Sequence, residues 1–245
     1  MNRRTTSFRN LAALAGLGLA VTLTACAGPE SDPATVHEEA LVLDTHVDIS
    51  SRFAGEVNPC TMTERQVDVP KMEAGGMDVA FFIVYVGQGE RTPEGYADAK
   101  ATAQARFDAI HRMAEELCPD RIEIAYSADD VERILAEGKL VAAIGMENGY
   151  VIGRDLSLLE RYHELGGRYM TLSHNGHNDI CDSANPRDDE PEAEHGGLSD
   201  FGEEVVAEMN RLGIMVDISH VSSQSALDAI RVSQAPVIAS HSATK

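Results

Sequence analysis

Positive charge is scarce in this sequence. Lysine and arginine together number 20, against 40 aspartates and glutamates, which gives a formal net charge of −20. A surface with this balance repels nucleic acids and anionic membranes, so we exclude nucleic acid as a partner. Tryptophan is absent as well, yet 43% of the 245 residues are hydrophobic, which is enough for a sizeable core. The composition predicts a globular protein, and its acidic balance suits cationic partners, metals or simply solubility.

The cysteines form no metal-binding pattern. None of the four belongs to a C-x-x-C pair, which counts against a cysteine-ligated metal. One of them, Cys26, falls in the N-terminal segment considered next. Three remain, so at least one thiol is unpaired within the chain, and the sequence leaves open which ones pair: Cys60, Cys118 and Cys181.

The N-terminal segment has the features of an export signal. An apolar run over residues 11–23 is too short for a comfortable membrane span and follows a basic start. Leu23-Thr24-Ala25-Cys26 then resembles the lipobox of bacterial lipoproteins. We predict a lipoprotein signal peptide over residues 1–25, lipidation of Cys26 and a tether over residues 26–36; ordinary signal cleavage near Ala25 is the alternative. The protein would then be an exported bacterial lipoprotein, anchored by lipid at the periplasmic face of a membrane or at the cell surface.

The rest of the chain alternates strands with helices. The predicted strands are nearly continuous apolar runs, as expected for parallel strands covered on both faces, and they span residues 40–48, 77–85, 140–146, 169–172, 214–218 and 235–240. This order predicts an α/β fold, a TIM-like (β/α)8 barrel over residues 37–245 with about six of its eight strands present. A Rossmann-type sheet is disfavoured because no glycine-rich phosphate loop follows the first strand.

Metal-competent side chains follow the ends of these strands. His46 and Asp48 are two residues apart on an extended backbone, so they point the same way. Each such residue alone is more often structural, but five at equivalent positions indicate a shared site where parallel strands end: His46, Asp48, Glu147, His220 and His241. This donor set suits two divalent ions, and Glu147, on the middle strand, is the natural bridge.

These residues lie within a family pattern. The stretches DTHVD, GMENG, RYMTLSHN, HGGLSDFGEEVVAEMNRLGIMVDISHVS and APVIASHS, from about residue 40 to 245, resemble the membrane (renal-type) dipeptidases, the M19 metallopeptidases. The resemblance implies zinc-dependent hydrolysis of dipeptides by a metal-bridging hydroxide. It assigns His46 and Asp48 to one zinc ion, His220 and His241 to a second, and Glu147 to both.

The resemblance also implies roles for two further residues and a limit on the chain. His174 matches a histidine that contacts substrate and stabilises the tetrahedral intermediate, so we place it with Glu147 as a catalytic residue. Asp182 matches a recurrent loop acid that we assign to substrate binding. The family's barrel has two more strands, with an arginine for the substrate carboxylate and a proton-transferring aspartate, so we expect a truncated barrel here. The oligomeric state is open, with a homodimer as one alternative.

Two other functions stay open on the sequence. One is another metal-dependent amidohydrolase or lactonase on the same barrel, although such enzymes commonly use a carbamylated lysine as the bridge, where this chain has Glu147. The other is an inactive, truncated lipoprotein that only binds metal. In the loop that precedes residue 198, we expect His177 and His195 to be solvent-exposed rather than in contact with substrate.

Overall fold

A computed structural model describes residues 32–243 of the chain. The predicted signal peptide, the lipidation site Cys26 and the first part of the predicted tether lie outside these residues. Residues 33–36, the end of that tether, belong to a short exposed helix. None of the helices in the described range combines the length and the apolar character needed to cross a bilayer.

The described residues build one parallel sheet of six strands. Its order is β1-β2-β4-β5-β6, with β3 paired to the first half of β4. The strands are β1 (Leu43–Asp48), β2 (Val79–Tyr85), β3 (Ile122–Ile124), β4 (Leu140–Glu147), β5 (Gly167–Thr171) and β6 (Met215–Asp217). Because every pair is parallel, the carboxyl ends of all strands lie at one edge of the sheet. The predicted α/β architecture is confirmed.

Helices follow most of the strands and cover the sheet. They are α1 (Pro33–Glu39), α2 (Val69–Gly75), α3 (Pro93–Arg112), α4 (Ala128–Ala136), α5 (Ser157–Glu164), α6 (Asp200–Leu212) and α7 (Ser223–Val232). Polar side chains cap the N-termini of five of these helices, as Ser199 does by accepting a hydrogen bond from the backbone of Gly202. In the core, Phe107 of α3 and Tyr162 of α5 stack with their ring centroids 5.5 Å apart. The alternation of strands and helices expected from the sequence is therefore present.

Two strand predictions need correction. The predicted strand at residues 235–240 makes only a single parallel bridge, between Asp217 and Ile238. Pro236 lacks an N–H there, which limits the ladder that this segment can form. Strand β3 was not predicted, because three residues are too few to show a period. The total of six strands thus agrees with the prediction, although one member differs.

At the carboxyl edge of the sheet, the first strand, β1, approaches the segment that follows β6. Thr45 of β1 donates a hydrogen bond from Oγ1 to the carbonyl of Ser240, at 2.5 Å. The ring of His46 lies 3.7 Å from that of His241, centroid to centroid. The strands therefore curl around a common interior, as the strands of a barrel do. This curl brings residues far apart in the sequence to one rim.

The segment between β1 and α2 is irregular but firmly anchored. Asp68, 1% exposed, accepts hydrogen bonds from the backbone and hydroxyl of Thr63 and from the backbone of Lys71. Cys60 and Cys118 form a disulfide that links this segment to the end of the π-helical turn after α3. Cys181 is an unpaired, buried thiol. The disulfide settles the pairing that the sequence left open.

Candidate metal centre

Histidines and one glutamate converge at the carboxyl edge of the sheet. They line a cavity of about 500 Å³ together with Asp48, Ile49 and Tyr85, and the converging residues are His46, Glu147, His174, His220 and His241. Each lies at or near the carboxyl end of a different strand or strand-like segment. The structure thus brings together all five predicted metal ligands and the predicted catalytic histidine.

Glu147, at the end of the central strand β4, stands between the imidazoles. Its Oε1 lies 3.2 Å from His220 Nε2, 3.4 Å from His241 Nε2 and 3.6 Å from His174 Nε2. Its Oε2 lies 3.6 Å from His46 Nε2. Ligand atoms that share a tetrahedral zinc ion at ordinary bond lengths are about 3.3 Å apart. The spacing and the chemistry of these donors fit a carboxylate that bridges two metal ions.

His220 and His241 are the two donors of the cluster that lie closest together. The Nε2 atoms of His220 and His241 are 2.6 Å apart. The backbone of His220 is left-handed, with φ of 64°, a conformation that L-residues rarely adopt. The backbone of Ala184 donates to the carbonyl of His220 at 2.7 Å and helps to hold this turn. Strained residues of this kind cluster at functional sites, where the surroundings determine their geometry.

Asp48 lies at the outer rim of the cluster. Its side chain is 75% exposed, and its Oδ1 is 3.8 Å from His46 Nε2. Within the described residues, two groups of three donors lie close enough together to hold a metal ion: His46 with Glu147 and His241, and Glu147 with His174 and His220. Both groups contain Glu147, in agreement with its predicted bridging position. The division of the other ligands between two ions stays a prediction.

The charges of the site favour an ionised glutamate. Burial opposes ionisation of Glu147, but its interactions with the surrounding imidazoles, those of His220 and His46 first, outweigh it, so its pKa lies well below its usual value. Burial likewise favours a neutral His46, yet its interactions with Glu147 raise the pKa of this imidazole. At His174, burial prevails and lowers the pKa. The centre therefore presents a negative charge surrounded by nitrogen donors.

A tight turn fixes the direction of Glu147. Asn148, the next residue, is fully buried and has φ of 83°. Its side-chain amide donates to the carbonyl of Val86, and its side-chain oxygen accepts from the backbone of Tyr150 and from Asn178. These bonds end β4 abruptly and turn the chain away from the cavity. The carboxylate of Glu147 thereby remains aimed at the interior.

A buried acid that the sequence analysis missed supports His241. Asp217 Oδ1 accepts from the backbone and hydroxyl of Ser219 and from the backbone of Ser240, while Oδ2 accepts from the hydroxyls of Thr171 and Ser240. The hydroxyl of Ser240 lies 2.8 Å from His241 Nδ1. Since that hydroxyl donates to Asp217, it accepts from His241, whose Nε2 is then free to bind metal. A carboxylate inside an apolar strand was the available signal.

The predicted substrate-binding acid does not reach the cluster. Asp182 is buried, and its carboxylate accepts from the backbone N–H groups of Glu194, His195 and Gly197. Burial opposes its ionisation, but these hydrogen bonds outweigh it and lower its pKa. Asp182 therefore holds the loop together in this structure, and its contact with substrate stays a prediction.

The loop histidines are less exposed than predicted. His177 is fully buried; its Nδ1 accepts from the backbone of Ser183, so its Nε2 donates to the carbonyl of Pro191. The side chain of His195 is 19% exposed and bonds to the carbonyl of Asn178. Expecting solvent-exposed histidines here was wrong, because the loop folds back on itself and uses them as internal hydrogen-bonding groups.

A comparison with protein families gives this geometry its context. The family model of the membrane dipeptidases, peptidase family M19, matches residues 31–245. The chain belongs to the membrane dipeptidase family. The resemblance found in the sequence motifs is thereby confirmed.

Curated relatives of this M19 chain are dipeptidases from fungi. It is 41% identical over 185 residues to dipeptidase tcpJ of Claviceps purpurea (strain 20.1), covering 72% of this chain and 41% of the relative. It is 39% identical over 182 residues to dipeptidase aclJ of Aspergillus oryzae (strain ATCC 42149 / RIB 40), covering 72% of this chain and 42% of the relative. The M19 chain thus spans less than half the length of these relatives.

Solved structures share the fold. The probable dipeptidase PvdM from Pseudomonas aeruginosa superposes with a TM-score of 0.79 at 30% identity, over 86% of this chain and 54% of that one. A metallo peptidase from Rhodobacter sphaeroides, liganded with a phosphinate mimic of the dipeptide L-Ala-D-Ala, gives a TM-score of 0.70 at 26% identity, over 82% and 65%. The six-stranded arrangement of the M19 chain is therefore part of a known metallopeptidase fold.

The network around Asp217 yields a testable prediction. In Asp217→Asn the side-chain amide faces several donors, and each buried group left unsatisfied costs about 1–3 kcal/mol. Because His241 also loses its fixed partner, we expect affinity for zinc to fall about 10–100-fold. Urea unfolding of the metal-free chain and zinc titration against a competing chelator measure the two effects.

Asp68→Asn provides a matched control for this substitution. Asp68 is also buried and also accepts several hydrogen bonds, but it lies between β1 and α2 and outside the metal centre. It should lower the free energy of unfolding comparably while leaving zinc affinity unchanged. Equal zinc affinity in the two variants would show that Asp217 has only a structural role.

Proposed function

We propose that this chain hydrolyses dipeptides at a centre of two zinc ions that share Glu147. The observation that carries the proposal is the position of this buried carboxylate: its two oxygens face different imidazoles at distances typical of ligands to a common ion. Membership of the membrane dipeptidase family supports dipeptides as the substrate class.

The residues present suit zinc. Imidazole nitrogens and carboxylate oxygens are its ordinary protein ligands. His46 and Asp48 would hold one ion and His220 and His241 the second, with Glu147 bound to both. The cluster contains no lysine, so a carbamylated-lysine bridge of the kind used by other amidohydrolases has no candidate among the lining residues. This favours a dipeptidase over the alternative amidohydrolase or lactonase.

Bound zinc supplies Lewis-acid polarisation of a carbonyl and an activated water near neutral pH. The chain's own contribution beyond the ligands comes from His174. Its side chain is 16% exposed at the cavity, and its ring packs edge-on against Tyr85, with centroids 4.9 Å apart. Held in this way, an imidazole N–H can donate a hydrogen bond to the oxygen of the scissile carbonyl as negative charge develops on it.

The Rhodobacter relative was solved with a mimic of L-Ala-D-Ala, which makes this dipeptide the natural first substrate to test. The cavity over the cluster is open to solvent and large enough, at about 500 Å³, to admit a dipeptide. The homodimer that the sequence left open stays a prediction.

The shared carboxylate leads to a prediction about metal content. Glu147→Gln keeps the size of the side chain but removes its charge, so we expect the loss of both zinc ions. His241→Ala should remove only one, because the first ion keeps its other ligands. Elemental analysis of the dialysed, zinc-loaded protein measures the stoichiometry.

Glu190→Gln is the matched control for Glu147→Gln. Replacing Glu190 by glutamine is an equally conservative change. Glu190 is mostly buried, at 8% exposed, and lies in the loop between β5 and α6. It should retain the wild-type stoichiometry. If Glu147→Gln retained two zinc ions, the proposal that Glu147 is a ligand to both would be wrong.

Catalysis itself gives a second prediction. The zinc-loaded chain should hydrolyse L-Ala-D-Ala, and His174→Ala should lower kcat about 10²–10³-fold, which is typical for the loss of one oxyanion donor. Zinc content should not change, since His174 is assigned to the substrate. His163→Ala on α5 serves as a histidine control outside the cluster.

Other outcomes would identify the alternatives. Turnover of esters or lactones without dipeptide turnover would favour a different metal-dependent hydrolase. Zinc binding without any turnover would favour an inactive metal-binding lipoprotein. Loss of zinc in His174→Ala would move this residue from the substrate to the ligand set.

Export and lipid anchoring are part of the same proposal. The Cys60–Cys118 disulfide supports an oxidising compartment, because structural disulfides are rare in the cytosol. Cys26→Ser should shift the protein from the membrane fraction to the soluble fraction of bacterial cells, whereas Cys181→Ser should not. Unchanged fractionation of Cys26→Ser, measured by immunoblot, would contradict a lipid anchor at this residue.

A further inference from the structure

One buried tyrosine connects the interior of the sheet to the metal centre. Tyr169 on β5 is fully buried, and its hydroxyl donates to the carbonyl of Thr45 on β1, at 3.0 Å. The same hydroxyl oxygen lies 3.0 Å from His46 Nδ1. In the sheet order, β2 and β4 lie between these strands. The side chain of Tyr169 therefore crosses the interior beneath the site.

The neighbouring strand leaves a passage for this ring. Gly145 on β4 is paired with Tyr169, and a Cβ atom at Gly145 would lie only 2.3 Å from the tyrosine ring. Any other residue at position 145 would collide with the aromatic side chain. The ring also packs against Phe81 of β2, with centroids 5.2 Å apart. The absent side chain of Gly145 thus permits the crossing.

The hydrogen bonds at the phenol fix the direction of each proton. A backbone carbonyl only accepts, so the single proton of the Tyr169 hydroxyl points at Thr45. The phenol oxygen then has a lone pair left for His46, and Nδ1 must be the donor. A neutral imidazole carries one N–H, so Nε2 of His46 holds a lone pair. That nitrogen faces Glu147 Oε2 at 3.6 Å and Asp48 Oδ1 at 3.8 Å.

We infer that Tyr169 is a positioning residue: through the passage at Gly145, it fixes the Nδ1–H tautomer and the ring orientation of His46, so that Nε2 is presented to a metal ion. The inference rests on the proposed metal centre. Partners of this kind on metal-binding histidines are worth about 10–100-fold in metal affinity. This effect on metal affinity depends on the hydroxyl group of Tyr169 and not on the size of its ring.

The test compares Tyr169→Phe with Tyr162→Phe. Tyr162 is also buried, at 3% exposed, and its hydroxyl also donates to a backbone carbonyl, that of Val151. Its environment is outside the metal centre, so Tyr162→Phe controls for the loss of a buried hydroxyl. Long-range ¹H–¹⁵N NMR of the metal-free protein reports the tautomer of His46, assigned through the signal lost in His46→Gln.

We expect Nδ1–H at His46 in the wild type and in Tyr162→Phe, and a shift toward Nε2–H in Tyr169→Phe. Zinc titration against a competing chelator should show about a 10–100-fold loss of affinity in Tyr169→Phe alone. Because the ring remains, thermal unfolding of the two metal-free variants should be similar.

Several results would overturn the inference. An Nε2–H tautomer in the wild type would do so without any variant, as would an unchanged tautomer and zinc affinity in Tyr169→Phe. Failure of the wild type to bind zinc would instead contradict the proposed function. In that case the tautomer of the metal-free protein would still decide whether Tyr169 orients His46.

Discussion

The ionised, buried carboxylate of Glu147 is the constraint on which the site depends. It lies at the end of the central strand, only 3% exposed, and a lone buried charge at this position would be strongly unfavourable. Four imidazoles surround it at 3.2–3.6 Å, and cations held between their nitrogens and the carboxylate would compensate the cost of burial. Those imidazoles come from four different segments, so the sheet must curl for the charge to be tolerated.

The same constraint explains the supporting hydrogen bonds. Imidazoles that surround a carboxylate must present particular nitrogens, and a neutral ring offers one donor and one acceptor. His46 and His241 have their Nδ1 atoms engaged by Tyr169 and Ser240, so their Nε2 atoms face the centre. Asp217, at the end of β6, anchors the second of these contacts by accepting a hydrogen bond from Ser240. The side chains that the strands contribute and the orientation of these histidines therefore depend on one hydrogen-bond network.

The positions of the candidate metal ligands were predictable from the sequence, but the residues that orient them through hydrogen bonds were not. His46, Glu147 and His220 follow apolar runs, and parallel strands necessarily bring such ends to one edge. Tyr169, in contrast, lies within β5, where the apolar pattern gives no indication that its side chain reaches His46, and the only signal for Asp217 was a carboxylate in an apolar run. The strand predicted at residues 235–240 makes only one bridge, and the three-residue β3 was not predicted, because strand pairing depends on tertiary contacts more than on local periodicity.

Asp48 shows why the grouping of ligands depends on more than backbone geometry. It points in the same direction as His46, as its two-residue spacing requires, yet 75% of its side chain faces solvent. Its neighbours in the cluster are buried or half-buried, and two of them, His46 and His241, are held by hydrogen bonds from the protein. An exposed carboxylate gains order when a cation attracts it, because a side chain that faces solvent keeps most of its rotamer freedom. The buried part of the centre is therefore preorganised by the fold, whereas the rim depends on the ion itself.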